Sequence, residues 1–203
     1  MEKNVVVTGF DWYRGKDYTI YHPNPSGLIA SILNDKLISG YRVYGRIFRV
    51  NYSAIKELWK ILEELKPEIV IGLGLSPRID KPYLELAAVN YGYSDINEYK
   101  GFLWKGKPLV VNIQVDFEKL IEYLKEKGFD IRPSNTLGLY LCNAVAYTIY
   151  LYALENRAKA VFLHIPPVGD LRIRLRLPLR ISYGLYELVE LVKSIIEYFA
   201  SNS

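Results

Sequence analysis

Ile69-Val70-Ile71-Gly72-Leu73-Gly74 is a short apolar run that ends in glycine, and it decides the fold prediction. Before it, residues 53–65 carry apolar side chains at helical spacing, and Lys66-Pro67 separates the two segments. This pattern predicts an amphipathic helix followed by a buried strand. Similar apolar runs at 5–10 and 160–165 predict two further buried strands. Helices that alternate with such strands predict an α/β fold, in which a twisted, largely parallel sheet has helices on both faces.

The remaining elements fit the same architecture. Residues 139–155 are apolar almost all round, which predicts a central helix. The 203 residues suit one domain with a full-sized core, so we predict a single domain over 1–203. The patterns also predict a strand at 41–50, helices at 27–37, 117–127 and 182–199, and a hairpin over 103–110.

Composition argues against nucleic-acid and membrane partners. The net charge is only +4, and most basic residues are mixed with acidic ones. One basic cluster, Arg172, Arg174, Arg176 and Arg180, has a spacing of two, which is typical of one solvated face of an extended segment. No apolar run approaches the roughly 18–20 residues that span a bilayer. A single cysteine and the lack of an export signal predict a cytoplasmic location.

Cys142 is the only cysteine, and it lies in Ser134-Asn135-Thr136-Leu137-Gly138-Leu139-Tyr140-Leu141-Cys142-Asn143. A lone thiol forms neither an intramolecular disulfide nor a multi-cysteine metal site. Its position near the start of the predicted central helix favours the thiolate, because helix N-termini stabilise negative charge. Cys142 is therefore a candidate nucleophile, although a small buried apolar residue is the alternative.

A cysteine nucleophile needs a base, and the chain has two histidines, His22 and His164. His164 ends the third predicted strand just before two prolines, at a strand end where α/β enzymes place functional side chains. Glu85 is a carboxylate within an apolar run, which is unusual unless the carboxylate has a partner. Glu85 could orient the base. The alternatives are a core histidine bonded to backbone and a glutamate facing outward on an edge strand.

Several stretches together resemble the pyroglutamyl peptidase I (pyrrolidone-carboxylate peptidase) family of cysteine peptidases. The run around Cys142 resembles the cysteine signature of that family, and Phe162-Leu163-His164-Ile165-Pro166 resembles its histidine motif. Gly72-Leu73-Gly74-Leu75-Ser76-Pro77 with Glu85 is similar to its glutamate region. Val7-Thr8-Gly9-Phe10 and Asn24-Pro25-Ser26 resemble its opening. The motifs occur in the family's order, so the resemblance covers essentially the whole chain.

The resemblance implies a cysteine exopeptidase that removes N-terminal pyroglutamyl (5-oxoprolyl) residues from peptides through an acyl-enzyme, without metal or cofactor. Cys142 would be the nucleophile, His164 the base and then the acid, and Glu85 the residue that orients His164. A homo-oligomer, either a dimer or a tetramer, is also implied. By motif position, the pocket for the pyroglutamyl ring would be lined by Phe10, Tyr13, Tyr140 and Leu141.

Three positions depart from the pattern of the family. Tyr83 replaces a small hydroxyl residue, Leu86 replaces a basic residue, and Asp95 replaces a loop arginine. The loop 11–24 is also longer, and its aromatic residues predict a flap over the pocket. These departures leave two alternatives open. One is a divergent Cys-His amidohydrolase for another small N-terminal cap, and the other is a catalytically silent relative that only binds capped peptides or a partner.

Overall fold

A seven-stranded sheet forms the centre of the protein. The computed structural model describes residues 3–14, 20–95, 98–169 and 183–202. The basic cluster at 172–180 and the predicted helix start at 182 lie outside the described residues.

Within the described residues, the five helices and the four long strands follow the order that the sequence patterns predict, and the other strands are short additions. The helices in the described residues are α1 (Pro25–Leu33), α2 (Ala54–Leu65), α3 (Phe117–Glu126), α4 (Leu141–Asn156) and α5 (Leu185–Ser201). The strands are β1 (Lys3–Phe10), β2 (Tyr13–Arg14), β3 (Ile20–Tyr21), β4 (Leu37–Ile38), β5 (Tyr41–Phe48), β6 (Ile69–Leu75), β7 (Tyr83–Glu85), β8 (Ala87–Val89), β9 (Gly92–Ser94), β10 (Tyr99–Gly101), β11 (Val110–Asn112), β12 (Arg132–Ser134) and β13 (Lys159–Ile165).

The central sheet is largely parallel, as predicted. Its strand order is β12-β7-β13-β6-β1-β5-β4. The four inner strands β13, β6, β1 and β5 are mutually parallel, and β12 runs parallel to β7. Two junctions are antiparallel, β7 with β13 and β4 with β5. Because parallel strands end at one edge of a sheet, β1, β6 and β13 deliver their last residues to a common edge.

Two apolar layers cover the two faces of the sheet. Val5 and Val7 of β1 pack in the layer that contains α1, α3 and α5, whereas Val6 packs in the layer that contains α2 and α4. This follows from the period of two in a strand, which sends successive side chains to opposite faces. Helix α4 is buried along nearly its whole length, which agrees with its apolar character on all sides. The sheet therefore has helices on both faces.

A capping side chain begins α1, and a glycine follows the end of α3. The Asn24 side chain caps α1 by accepting a hydrogen bond from the Ser26 N–H (3.1 Å), and Pro25 occupies the first turn. Helix α3 is followed by Gly128 in the left-handed region, at φ +92°.

The hairpin predicted over 103–110 is wrong. That segment forms turns, and Val110–Asn112 pairs instead with Ala87–Val89. The Asn90 side chain explains the difference, since it accepts from the Trp104 N–H (2.8 Å) and donates to the Trp104 carbonyl (2.7 Å). These bonds replace the cross-strand ladder that a hairpin would need.

Candidate active site

The register of three neighbouring strands brings Glu85 and His164 together. On β13, Phe162 faces the layer of α2 and α4, whereas Leu163 faces the opposite layer, so His164 lies on the same face as Phe162. Strand β7 runs antiparallel to β13, with Glu85 opposite Phe162 and Tyr83 opposite His164. Glu85 is therefore the diagonal neighbour of His164 on this face, and diagonal neighbours are within reach of long side chains.

A buried hydrogen bond joins the two side chains. The His164 Nδ1 donates to Glu85 Oε1 at 2.8 Å. Glu85 is only 1% exposed, and its other oxygen, Oε2, accepts from the Thr136 N–H at 3.3 Å. Both carboxylate oxygens thus have partners. With Nδ1 engaged by Glu85, the Nε2 atom is the ring nitrogen left to face a nucleophile.

Cys142 lies in the first turn of α4, against His164. Tyr140 is the N-cap of α4 in an extended conformation and makes no side-chain cap, which leaves the N–H groups of the first turn without a side-chain acceptor from this residue. Cys142 lies close enough to His164 for a side-chain hydrogen bond between them to raise the pKa of the imidazole. Both side chains lie over Gly74 of β6, where a Cβ atom would be 2.8 Å from Cys142 Sγ and 3.4 Å from His164 Cδ2.

The electrostatics favour a charged imidazole. Burial by itself lowers the pKa of His164, but the charge and hydrogen bond of Cys142, followed by those of Glu85, raise this pKa to about 10. The protonated form of His164 is therefore favoured near neutral pH, and a protonated imidazole beside a cysteine is an arrangement that activates cysteine nucleophiles. The arrangement can deliver a nucleophilic sulfur and return a proton from the same imidazole.

A small, mainly apolar cavity of about 90 Å³ opens beside Cys142. The four residues predicted to line a substrate pocket all contribute to it, and the described residues that line it include no Asp, Glu, Lys or Arg side chain. Tyr13 also stacks on Tyr21, with ring centroids 4.6 Å apart. The cavity is lined by Phe10, Tyr13, Asn24, Val50, Leu75, Tyr140, Leu141 and Cys142.

Three lining residues, Asn24, Val50 and Leu75, were not predicted to line the cavity. Leu75 ends β6 and Val50 follows the end of β5, so both lie at the sheet edge to which His164 also belongs. The available signal was their position just at or after the end of a predicted parallel strand.

Other side chains fix the main chain around the candidate nucleophile. Asn143 accepts from the Val89 N–H (2.8 Å) and donates to the Tyr91 carbonyl (3.0 Å). The Leu139 carbonyl, just ahead of α4, accepts from the Tyr52 hydroxyl (2.9 Å) and from the Tyr93 N–H (2.8 Å). These polar atoms are far apart in sequence, and no local pattern predicts their partners.

The three departures from the family pattern occupy different places. Tyr83 pairs with His164 across the sheet, whereas Leu86 packs against the apolar layer on the opposite face. Asp95 is exposed, and its Oδ1 accepts from the Tyr93 hydroxyl at 2.5 Å. Asp95 thus follows β9, the strand whose Tyr93 N–H bonds the Leu139 carbonyl.

The structure describes only part of the long loop 11–24. Trp12 is 53% exposed and Tyr21 is buried, while residues 15–19 lie outside the described residues. The flap over the cavity stays a prediction. Among the residues that are described, no group of three or more His, Cys, Asp or Glu side chains is placed to hold a metal ion. Within the same residues, no helix is both long and apolar enough to cross a membrane.

A thiol, an imidazole and a buried carboxylate in a hydrogen-bonded series, beside a small apolar cavity at the edge of an α/β sheet, define the cysteine hydrolase class. A family model for pyroglutamyl peptidase matches residues 3–198. The chain therefore belongs to the pyroglutamyl peptidase family, as its motifs predict.

Similar proteins agree with this assignment. A pyrrolidone-carboxylate peptidase from Saccharolobus islandicus is 31% identical over 207 residues, covering 98% of this chain and 95% of the relative. One from Thermococcus litoralis is 33% identical over 180 residues, covering 83% and 78%. The solved structure of the pyrrolidone carboxyl peptidase from Thermococcus litoralis has a TM-score of 0.86 at 27% identity, covering 99% of this chain and 96% of that one. A mutant pyrrolidone carboxyl peptidase from P. furiosus also gives 0.86, at 28% identity, covering 98% and 99%.

Proposed function

We propose that this protein is a cysteine exopeptidase that removes N-terminal pyroglutamyl residues from peptides. The observation that carries the proposal is the hydrogen-bonded series Cys142–His164–Glu85 beside the small cavity, in a chain of this family. A pyroglutamyl residue has a flat, neutral lactam ring, which suits the aromatic faces of Phe10 and Tyr13. A prolyl residue would instead bring a charged amine into a cavity that offers it no carboxylate.

The reaction begins with the Cys142 thiolate, which attacks the carbonyl that links the lactam ring to the peptide. A carbon–sulfur bond forms, and N–H groups in the first turn of α4 stabilise the oxyanion. The His164 imidazolium then gives its proton to the departing amine as the carbon–nitrogen bond breaks. Glu85 holds the imidazole in orientation and stabilises its positive charge.

Water completes the cycle. Neutral His164 accepts a proton from a water molecule, whose oxygen attacks the thioester carbonyl. The carbon–sulfur bond breaks, pyroglutamate leaves, and the thiolate–imidazolium pair is restored. The chemistry requires a reduced Cys142, a condition that the cytoplasm provides.

A chromogenic pyroglutamyl substrate tests this function. We expect wild-type protein to hydrolyse it in preference to the prolyl and glutaminyl analogues. Cys142→Ser should reduce hydrolysis more than about 1,000-fold, because serine does not form an anion readily near neutral pH. Its melting temperature should stay close to that of wild type, since the substitution is nearly isosteric. Activity of Cys142→Ser within about tenfold of wild type would rule out covalent catalysis by this residue.

The carboxylate of Asp95 favours a second candidate, an amidohydrolase for another small N-terminal cap. Asp95 stands where the family pattern has an arginine, and a carboxylate cannot supply the positive charge that an arginine would offer to an oxyanion. If the prolyl or glutaminyl analogue is cleaved faster than the pyroglutamyl substrate, this candidate replaces the first. No turnover of any of the three, with intact folding, supports the silent relative that only binds.

We also infer that the chain forms a homo-oligomer, either a dimer or a tetramer. Large apolar side chains lie exposed at several places, including Tyr186 (76%), Leu37 (69%) and Leu109 (61%). Burial of such side chains against another copy would be favourable. Sedimentation velocity should therefore give two or four times the 23.5 kDa of one chain.

A further inference from the structure

A tyrosine hydroxyl lies between the strands that carry Glu85 and His164. The Tyr150 hydroxyl donates to the Glu85 carbonyl at 2.5 Å and accepts from the Phe162 N–H at 3.1 Å. Glu85 and Phe162 are opposite each other at the antiparallel junction of β7 and β13. The two strands are thus joined at this point through a side chain that belongs to neither of them.

The position of this hydroxyl relates it to all three residues of the proposed series. It bonds the main chain of Glu85 itself and the main chain two residues before His164. Tyr150 also belongs to α4, the helix whose first turn contains Cys142. One side chain therefore connects the helix of the nucleophile to both strands that supply its partners.

Tyr150 is suited to a fixed role. It is fully buried, and a buried hydroxyl is stable only when its hydrogen bonds are satisfied, as they are here. Burial raises the pKa of Tyr150 far above the usual tyrosine value, so the hydroxyl stays protonated and keeps donating to Glu85.

We propose that Tyr150 is a positioning residue, whose hydroxyl sets the spacing of β7 and β13 and thereby the hydrogen bond between Glu85 and His164. The proposal rests on the proposed function for its kinetic consequence, but the geometric consequence at His164 does not depend on any substrate. Without the hydroxyl, the Phe162 N–H and the Glu85 carbonyl lose their shared partner, and the strands are free to shift.

Tyr150→Phe tests the proposal. We expect kcat for the pyroglutamyl substrate to fall about 10- to 100-fold with little change in KM, since small displacements of catalytic groups have effects of this size. Two readouts need no substrate. The pKa of His164, followed by NMR in a chain with two histidines, should fall as the bond to Glu85 weakens. The pH dependence of alkylation at Cys142, the single cysteine, should change together with the pKa of His164.

Tyr147→Phe is the matched control. Tyr147 is also fully buried in α4, but its hydroxyl donates to the Pro108 carbonyl (2.6 Å), away from β7 and β13. We expect Tyr147→Phe to lower the melting temperature while leaving kcat and the His164 titration unchanged. If Tyr150→Phe behaves in the same way as this control, Tyr150 is merely structural and the proposal fails.

A double variant asks whether Tyr150 acts through Glu85. In a Glu85→Gln background, Tyr150→Phe should cause little further loss of kcat. An equal loss in both backgrounds would overturn the proposal.

Should Tyr150→Phe fail to fold, Tyr150→Met removes the hydroxyl with a more adaptable side chain, and the same readouts apply. If wild type lacks pyroglutamyl hydrolysis, the proposed function fails, whereas the titration and alkylation shifts still decide the role of Tyr150.

Discussion

His164 is the residue on which the proposed chemistry depends most, because it bonds both the nucleophile and the orienting carboxylate. Its Nδ1 donates to Glu85, and Cys142 lies against the same ring. The attack requires a thiolate, and departure of the amine requires a proton on the imidazole. Activity should therefore decline on the alkaline side as His164 loses its proton, in line with its pKa of about 10.

The substitution Glu85→Gln tests whether the protonated form of His164 is needed for activity. The neutral amide no longer stabilises the imidazolium, so the pKa of His164 falls and the alkaline limb of the kcat/KM profile moves to lower pH. We also expect kcat at neutral pH to fall at least about tenfold, because the imidazole loses its orienting partner. Steady-state kinetics across the pH range measure both effects. An alkaline limb that stays in place would contradict the role given to Glu85.

At the scale of single elements, β6 supplies the space in which the candidate site is built. Its Gly74 has no side chain, and Cys142 Sγ occupies the volume directly above it. Phe162 also borders this space, since its Cζ would be 3.0 Å from a Cβ at Gly74. A glycine here allows the Cys142 side chain to approach the sheet closely enough to lie against His164.

Gly74→Ala should therefore impair catalysis more than folding. The added methyl group would lie 2.8 Å from Cys142 Sγ, and the short cysteine side chain can relieve this clash only by rotating away from His164. We expect kcat to fall more than about tenfold and alkylation of Cys142 to slow. Gly184→Ala is the control, because a Cβ at Gly184 meets nothing within 4 Å and its φ is −75°. Wild-type kinetics in Gly74→Ala would show that the cysteine has another route to its partner.

The elements themselves could largely be predicted from the sequence. Buried strands such as Ile69–Leu75 and the amphipathic helix Ala54–Leu65 have strong local periodicity, because each buries a definite set of side chains. The segment 103–110 was predicted wrongly, since its conformation depends on the side chain of Asn90 outside it. Local patterns contain no information about such a partner.

The candidate site could be predicted in part, for a similar physical reason. Cys142, His164 and Glu85 were identified by residue type and by resemblance to a family that the comparisons confirm. Their geometry depends on the antiparallel insertion of β7 beside β13, a pairing between positions 79 residues apart. The bridging hydroxyl of Tyr150 depends on the same pairing. Long-range register of this kind is set by the whole core.

Across the molecule, the sheet separates two apolar layers, and only one of them borders the candidate site. The layer of α2 and α4 borders the candidate site, because α4 carries Cys142 and packs on β6 and β13. The layer of α1, α3 and α5 covers the opposite face of the sheet. Both layers stabilise the fold, but only one of them contains the helix that carries the candidate nucleophile Cys142.

Alanine substitution of one buried isoleucine in each layer tests whether the two layers affect activity differently. Ile149 of α4 and Ile195 of α5 are both fully buried, on opposite faces of the sheet. Each substitution by alanine should lower the free energy of unfolding by about 2–5 kcal/mol, from lost burial and a new cavity. Chemical denaturation measures this loss. Ile149→Ala should in addition lower kcat several-fold, because its side chain packs above Gly72 of β6, beside the ring of Phe162 on β13. Ile195→Ala should leave kcat near that of wild type. An equal fall in kcat for both variants would mean that the two layers are coupled, and that the position of α4 is set by the entire core instead of by its own face.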